Sequence, residues 1–243
     1  MKKIAVVTPA GQVGRQVVSA LLKKEVELIL IGREGQRSKF SNLLDSRVSF
    51  RAAGLDQSSE LTHATEGADA LFWLTPPNTT TDMREWYQST ARAAAAAVRE
   101  NGIKRVVNLS AIGAGAAEGL GTVTYVGETE RLLNAASQNV VHLRPGYFME
   151  NLNLQKDSIA KGQLVFPFDP DHKIPWIAAK DIGDRAAEYL GSEKWAGHIY
   201  HHLLGPKSLT PLEVAEALKK HRGHDVRYVQ SSYEDLSRSF KDL

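Results

Sequence analysis

Gly11 and Gly14 stand three residues apart in Thr8-Pro9-Ala10-Gly11-Gln12-Val13-Gly14, directly after an apolar run and directly before a helical pattern. Glycines at such a junction let backbone N–H groups approach a phosphate, and the positive end of the following helix dipole favours the same charge. Where a glycine-rich dinucleotide loop places its first glycine, this chain has Thr8, followed by Pro9. The chemistry expected of Thr8, Gly11, Gln12, Val13 and Gly14 is pyrophosphate binding. Further on, Leu30-Ile31-Gly32-Arg33-Glu34 puts glycine where an acid would take the ribose 2′-hydroxyl of NAD, and Arg33 follows at once. A guanidinium there suits an adenosine 2′-phosphate, with Arg37 and Lys39 adding charge, so NADP(H) is the preferred cofactor. Glu34 keeps NAD(H) open, because a carboxylate one residue over could serve the ribose instead.

The elements that must position these residues are legible as alternation. Short aliphatic runs at 4–7, 28–31, 48–52, 70–74, 105–109 and 140–143 are separated by helical patterns, which is the βαβ signature. The runs are continuously apolar, which predicts a parallel sheet covered by helices on both faces. The expected fold is α/β, a Rossmann-type doubly wound parallel sheet with a small C-terminal substrate lobe. The first helix is expected from near Gly11 to Lys23-Lys24, with Val13, Val17, Val18, Leu21 and Leu22 inward. Another is expected from Asp82, as N-cap, to Glu100, stopping at Asn101-Gly102. Its run Ala93–Ala97 reads as a closely packed helix face. Residues 1–146 are read as the nucleotide-binding core and 147–243 as the substrate lobe, interleaved with the last core elements in one compact unit. Phe166 to Asp171 is loop-like, and neither an internal repeat nor a Gly/Ser-rich linker breaks the chain.

Bulk properties narrow the classes. The 243 residues are 42% hydrophobic and 24% charged, with a net charge of +2 and no cysteine. That is enough apolar content for a sizeable core, too little basic bias for nucleic acid, and no means for disulfides, thiol catalysis or cysteine-ligated metal. Met1-Lys2-Lys3 followed by Ile4 to Val7 is too short for a secretion signal and reads as a first strand, and no stretch is long enough to span a bilayer. A cytoplasmic protein acting on a small-molecule substrate is expected, without a membrane or nucleic-acid partner.

At this point several segments together resemble the NmrA-like branch of the atypical short-chain dehydrogenase/reductases, over nearly the whole chain. They are Gly54-Leu55-Asp56, Leu74-Thr75-Pro76-Pro77, Val106 to Gly113 with Ser110, Leu143-Arg144-Pro145-Gly146-Tyr147-Phe148-Met149-Glu150-Asn151, Asp181-Ile182-Gly183, and Leu204-Gly205-Pro206 with Leu209-Thr210. The resemblance implies that Asp56 lies beside adenine and that Thr75, Pro76, Pro77, Ser110, Gly146 and Tyr147 face the cofactor. It also implies a comparison with the Tyr-x-x-x-Lys pair of short-chain dehydrogenases, in which lysine lowers the tyrosine pKa for proton transfer. Here Tyr125 keeps its place and Thr129 stands where the lysine should be.

Tyr125 and Ser110 are therefore the catalytic candidates, each against a structural alternative: a packing tyrosine and a strand-end turn residue. His198, His201 and His202 lie in a segment read as a strand, 197–203, which sends them to opposite faces, so no metal site is expected. Trp176, Phe166 and Phe168 fit either an aromatic substrate pocket or a core. The resemblance implies an NADPH-dependent reductase of quinone-like acceptors, whose reduction needs little acid–base machinery. The alternative is a non-catalytic NAD(P)-binding redox sensor acting through a protein partner. Epimerase chemistry is disfavoured because it relies on an intact Tyr-Lys pair. A homodimer is left open.

Overall fold

The computed structural model describes residues 1–116, 118–232 and 234. The chain divides into two compact units, Met1–Pro145 with Ala179–Leu203, and Gly146–Ala178 with the residues from Leu204 onward. In chain order the first unit contributes β1 (Lys2–Val7), α1 (Gly14–Leu21), β2 (Val26–Gly32), β3 (Val48–Ala52), α2 (Ser58–Ala64), β4 (Ala70–Trp73), α3 (Met83–Glu100), β5 (Arg105–Leu109), α4 (Thr122–Ala136) and β6 (Val140–Pro145). The second unit follows with β7 (Tyr147–Phe148), α5 (Lys156–Ala160), β8 (Gln163–Phe166) and β9 (Ile174–Ile177). The chain returns to the first unit for α6 (Ala179–Gly191) and β10 (His198–Leu203), then closes the second with β11 (Ser208–Leu209), α7 (Pro211–Arg222) and β12 (Arg227–Gln230).

The first unit is built on a seven-stranded sheet of order β10-β6-β5-β4-β1-β2-β3, with every ladder parallel. Helices flank it, as the unbroken apolar runs require. On one face Ala5, Val7, Leu71, Trp73, Val106 and Val140 pack with Ala64 of α2, Ala93, Ala94 and Ala97 of α3, and Leu133 of α4. The alanine run is therefore a close helix–sheet contact. Asp82 caps α3 by accepting from the Glu85 N–H at 2.8 Å, and Gly102, at φ +60°, ends it. On the other face α6 crosses α1 at Gly183, where a Cβ would lie 2.6 Å from Gln16 Cβ and 2.7 Å from its carbonyl carbon. Only glycine allows that approach.

The differences from the sequence reading are local. The first helix begins at Gly14, because residues 11–13 are turns between β1 and α1. Phe166 belongs to β8 rather than to a loop. Trp176, Phe166 and the partly buried Phe168 form the core of the second unit with Leu164 and Val214. The Trp176 indole is 1% exposed, meets Phe166 edge-on at 5.9 Å and donates to the Leu209 carbonyl. Core packing rather than an aromatic substrate pocket is what these rings do. In the same unit α7 opens with a full capping box between Thr210 and Glu213, with Pro211 in the first turn, and stops at Gly223 in the left-handed region.

Candidate cofactor-binding site

The sheet order reverses at β1: the chain runs outward through β2 and β3 and returns to β4 on β1's other side. The crevice above the carboxyl ends of strands at such a switch is where open α/β sheets take their ligands. The loop after β1 is a tight turn there. Thr8 N–H donates to Ile31 O at 3.1 Å, and Gly11 N–H donates back to Thr8 O at 3.0 Å. Thr8 has φ +49°, the left-handed region that a glycine enters freely and a β-branched residue before proline does not. The missing first glycine of the loop is thus a real conformational cost carried by Thr8. Beneath it, a Cβ on Gly14 would lie 2.1 Å from Thr8 O and 2.9 Å from Thr8 C, and one on Gly11 would lie 3.2 Å from the same oxygen. The cradle exists because those side chains are absent. Helix α1 has no side-chain cap and no acid in its first turn, so nothing competes with an anion at its N-terminus.

A cavity of about 540 Å³ opens beside this loop. Thr8, Ala10 and Gly11 form one wall, and Gly32, Arg33, Gln36 and Lys39 a second. Asp56 after β3 and the Pro76–Thr80 segment with Trp86 after β4 close it. Of the expected residues, the fold brings Thr8, Gly11, Arg33, Asp56, Pro76 and Pro77 together on this cavity. Gln12 and Val13 lie in the adjoining turn and Gly14 opens α1; the Val13 side chain is core, 2% exposed. Thr75 is buried, and its hydroxyl accepts the Trp73 indole N–H at 3.1 Å.

Arg33 is exposed on the cavity wall with no ion-pair partner among the described residues. Glu34 is engaged elsewhere: Arg37 Nε and Nη2 grip its carboxylate at 2.6 and 2.9 Å, which holds its pKa below the usual carboxylate range. Arg37 in turn lies over the Phe50 ring at 5.0 Å and off the cavity wall. Two cations, Arg33 and Lys39, therefore line this side, and the neighbouring Glu34 carboxylate is paired with Arg37. Trp86 is a wall residue that the sequence reading missed; its indole donates to Pro76 O at 2.7 Å and fixes the proline segment. An aromatic in the first turn of the helix after β4 was the available signal.

The catalytic candidates lie in different surroundings. Tyr125, in the first turn of α4, tilts against Tyr87 with ring centroids 5.9 Å apart. Thr129 is buried, and its hydroxyl donates to Tyr125 O at 3.2 Å, an ordinary helix contact that leaves it no action on the phenol. Ser110, at the carboxyl end of β5, donates to Glu130 Oε1 at 2.6 Å. Arg144 Nε and Nη2 hold the same carboxylate at 2.9 and 2.6 Å, in a pair whose side chains are 17% and 6% exposed. Glu130 and Arg144 are thus joined to Ser110 across 20 and 34 residues of chain, and neither had been singled out as a site residue.

Beside this pair His142 is fully buried. The Asn108 amide donates to its Nδ1 at 3.0 Å, so the ring proton sits on Nε2 and is given to Asn134 Oδ1 at 2.9 Å. Burial holds the imidazole down at about 4, against a smaller upward pull from Glu130. Between about pH 6.5 and 4 the unfolded chain therefore binds a proton here that the folded chain refuses, so stability falls as pH falls. The expected loss attributable to His142 across that window is about 3 kcal/mol. Urea unfolding at stepped pH should show a slope that flattens in His142→Gln; equal slopes in both proteins would contradict it.

Gly146 and Tyr147 lie in the second unit. A Cβ on Gly146 would come within 2.2 Å of Pro175 O, so glycine is needed for β7 to approach β9. The Tyr147 ring meets Trp176 edge-on at 4.8 Å, and burial pushes its pKa up. Two of the three histidines of β10 have separate partners: His201 Nδ1 pairs with the Tyr189 hydroxyl at 2.9 Å, and His198 Nε2 with Ser137 O at 3.0 Å. No helix among the described residues is long and apolar enough to cross a membrane.

The model of the NmrA-like family matches residues 1–241. The chain is similar to an NAD(P)H azoreductase of Xenophilus azovorans, 28% identical over 99% of this chain and 81% of that protein. Among solved structures it is similar to the triphenylmethane reductase of Citrobacter sp. complexed with NADP(H), with TM-score 0.82, 23% identity and coverage of 96% and 80% of the two chains. It is also similar to an NADPH-dependent quinone oxidoreductase of Escherichia coli complexed with NADPH, with TM-score 0.80, 23% identity and coverage of 98% and 82%.

Proposed function

The chain belongs to the NmrA-like family, and from that premise we propose that it is an NADPH-dependent oxidoreductase that transfers hydride to a small electrophilic acceptor such as a quinone. The observation that carries the reading is the cavity at the topological switch, with a Cβ-free turn at the α1 N-terminus on one side and Arg33 and Lys39 on the other. That arrangement fits a dinucleotide whose pyrophosphate meets the Thr8–Gly14 turn and whose 2′-phosphate meets the guanidinium. Asp56 takes the adenine side, and Pro76 and Pro77, braced by Trp86, form the opposing wall. Gly146 and Tyr147 belong to the proposed set through the family motif alone. The azoreductase and quinone reductase relatives support reductive chemistry, whereas the non-catalytic sensor reading gains no comparable support.

The chemistry supplied by bound NADPH is hydride donation. The chain's part is to hold the dinucleotide and align an acceptor, because Tyr125 has no lysine at Thr129 to assist it. Quinone-like acceptors suit such a site, since their reduced forms can take protons from water. Mixing the protein with NADPH and a quinone panel should give loss of nicotinamide absorbance above a protein-free blank; no turnover on any member would remove the reading.

Cofactor preference is tested by parallel titration with NADPH and NADH. Arg33→Ala should weaken NADPH by about 1.5–3 kcal/mol, roughly 10–150-fold, and leave NADH nearly unchanged. Equal losses for both cofactors would sink the assignment of Arg33 to the 2′-phosphate.

A further inference from the structure

Ser110 has one proton and has already committed it. A carboxylate held on both oxygens by a guanidinium is ionised and has no hydrogen to give, so in the contact between Ser110 and Glu130 the serine must be the donor. The 2.6 Å separation is that of a strong O–H···O⁻ bond. Ser110 is 7% exposed and Glu130 4%, so water cannot readily replace either partner. What Ser110 Oγ still offers to its surroundings is lone pairs only.

We infer that Ser110 works as a hydrogen-bond acceptor for the nicotinamide-riboside half of the cofactor, and that Glu130 and Arg144 are positioning residues that fix this polarity. The inference rests on the NADPH reading. Ser110 directly follows β5, and the sheet order β5-β4-β1-β2 puts it three strand spacings, about 14 Å, from the end of β2, where Arg33 stands. A dinucleotide anchored by its 2′-phosphate at Arg33 and its pyrophosphate at the β1 turn extends its other half toward β4 and β5. The groups that half can donate are its ribose hydroxyls and its carboxamide N–H, and an acceptor-only hydroxyl suits either. The same polarity removes Ser110 as a donor to a substrate carbonyl. With Thr129 in place of the lysine, the acceptor class narrows to compounds whose hydride adducts are protonated by water or need no proton.

The test uses the full chain and two readouts. In wild-type protein the Ser110 hydroxyl should give a downfield, slowly exchanging proton resonance, identified by its loss in Ser110→Ala, and saturation with NADPH should leave it in place. In binding titrations Ser110→Ala should weaken NADPH about 5–20-fold while leaving 2′,5′-ADP, which lacks the nicotinamide half, unchanged. The acetylpyridine analogue of NADPH, with methyl in place of the amide nitrogen, separates the two sources. If wild type binds it as weakly as Ser110→Ala binds NADPH, the carboxamide is the donor; if as tightly as NADPH, the donor is a ribose hydroxyl. Loss of the hydroxyl resonance on saturation with NADPH, or equal effects of Ser110→Ala on NADPH and 2′,5′-ADP, overturns the inference and leaves the cofactor reading standing. Failure of wild type to bind NADPH overturns the reading and the inference with it.

Discussion

Gly14→Ala is expected to lower NADPH affinity about 100-fold or more and to destabilise the protein by about 2 kcal/mol. The added Cβ would sit 2.1 Å from Thr8 O and 3.1 Å from Pro9 Cα, and both neighbours are backbone. No rotamer change relieves such an overlap; the turn itself must move. That turn is already constrained, with Thr8 at φ +49° and its N–H and C=O tied to Ile31 and Gly11. A displaced Thr8 opens the Gly11 contact and turns the loop's N–H groups away from the pyrophosphate, so binding suffers more than stability. Gly35→Ala, at a position where a Cβ meets nothing within 4 Å, is the matched control and should change neither property appreciably. Calorimetric titration with NADPH, alongside urea unfolding of both variants, measures the effects separately. Wild-type affinity in Gly14→Ala would show that the loop does not carry the phosphate contact.

The second large effect is expected at Glu130. Glu130→Leu removes the partner of a guanidinium whose side chain is 17% exposed, and a mostly buried charge left alone costs about 3–5 kcal/mol. Ser110 loses its acceptor in the same step. The pair as a whole is worth far less than either half alone suggests, because removing both charges also removes the desolvation penalty. Glu130→Leu combined with Arg144→Met should therefore recover most of the lost stability. Arg144 also lies over the Tyr200 ring at 4.6 Å, and methionine keeps some of that contact. Urea denaturation of wild type, single and double variants supplies the comparison. A single-variant cost below about 1 kcal/mol, or a double variant no better than the single, would refute the buried-pair account.

These two sites differ in how much the sequence disclosed. The strand–turn–helix around Gly14 is a short-range object. An apolar run, a Gly-x-x-Gly spacing and an amphipathic segment are contiguous, and backbone sterics fix their geometry once the strand is buried. Arg33 followed from the same logic, because a residue just past a parallel strand must stand at the carboxyl edge of the sheet. The six aliphatic runs sufficed for a parallel α/β sheet because continuous apolarity has one economical solution, cover on both faces. The capping of α3 by Asp82 and its end at Gly102 were likewise local choices.

Tertiary structure decided which side chains face which. Glu34 and Arg37, three residues apart, could each have lined the cavity, and a two-point ion pair between them leaves Arg33 and Lys39 as the cations on its wall. Phe166 and Trp176 carried equal credentials for pocket and core until their rings met inside the second unit. Ser110, Glu130 and Arg144 come from β5, α4 and β6, and no spacing along the chain encodes their meeting. Periodicity in a sequence reports the faces of single elements, whereas the polarity of a buried hydroxyl depends on the charge that another element brings within 3 Å of it. The sequence by itself determined a parallel α/β sheet with a glycine turn after its first strand and a cation at its edge; the packing of α4 against β5 and β6 decided which partner holds the hydroxyl proton of Ser110.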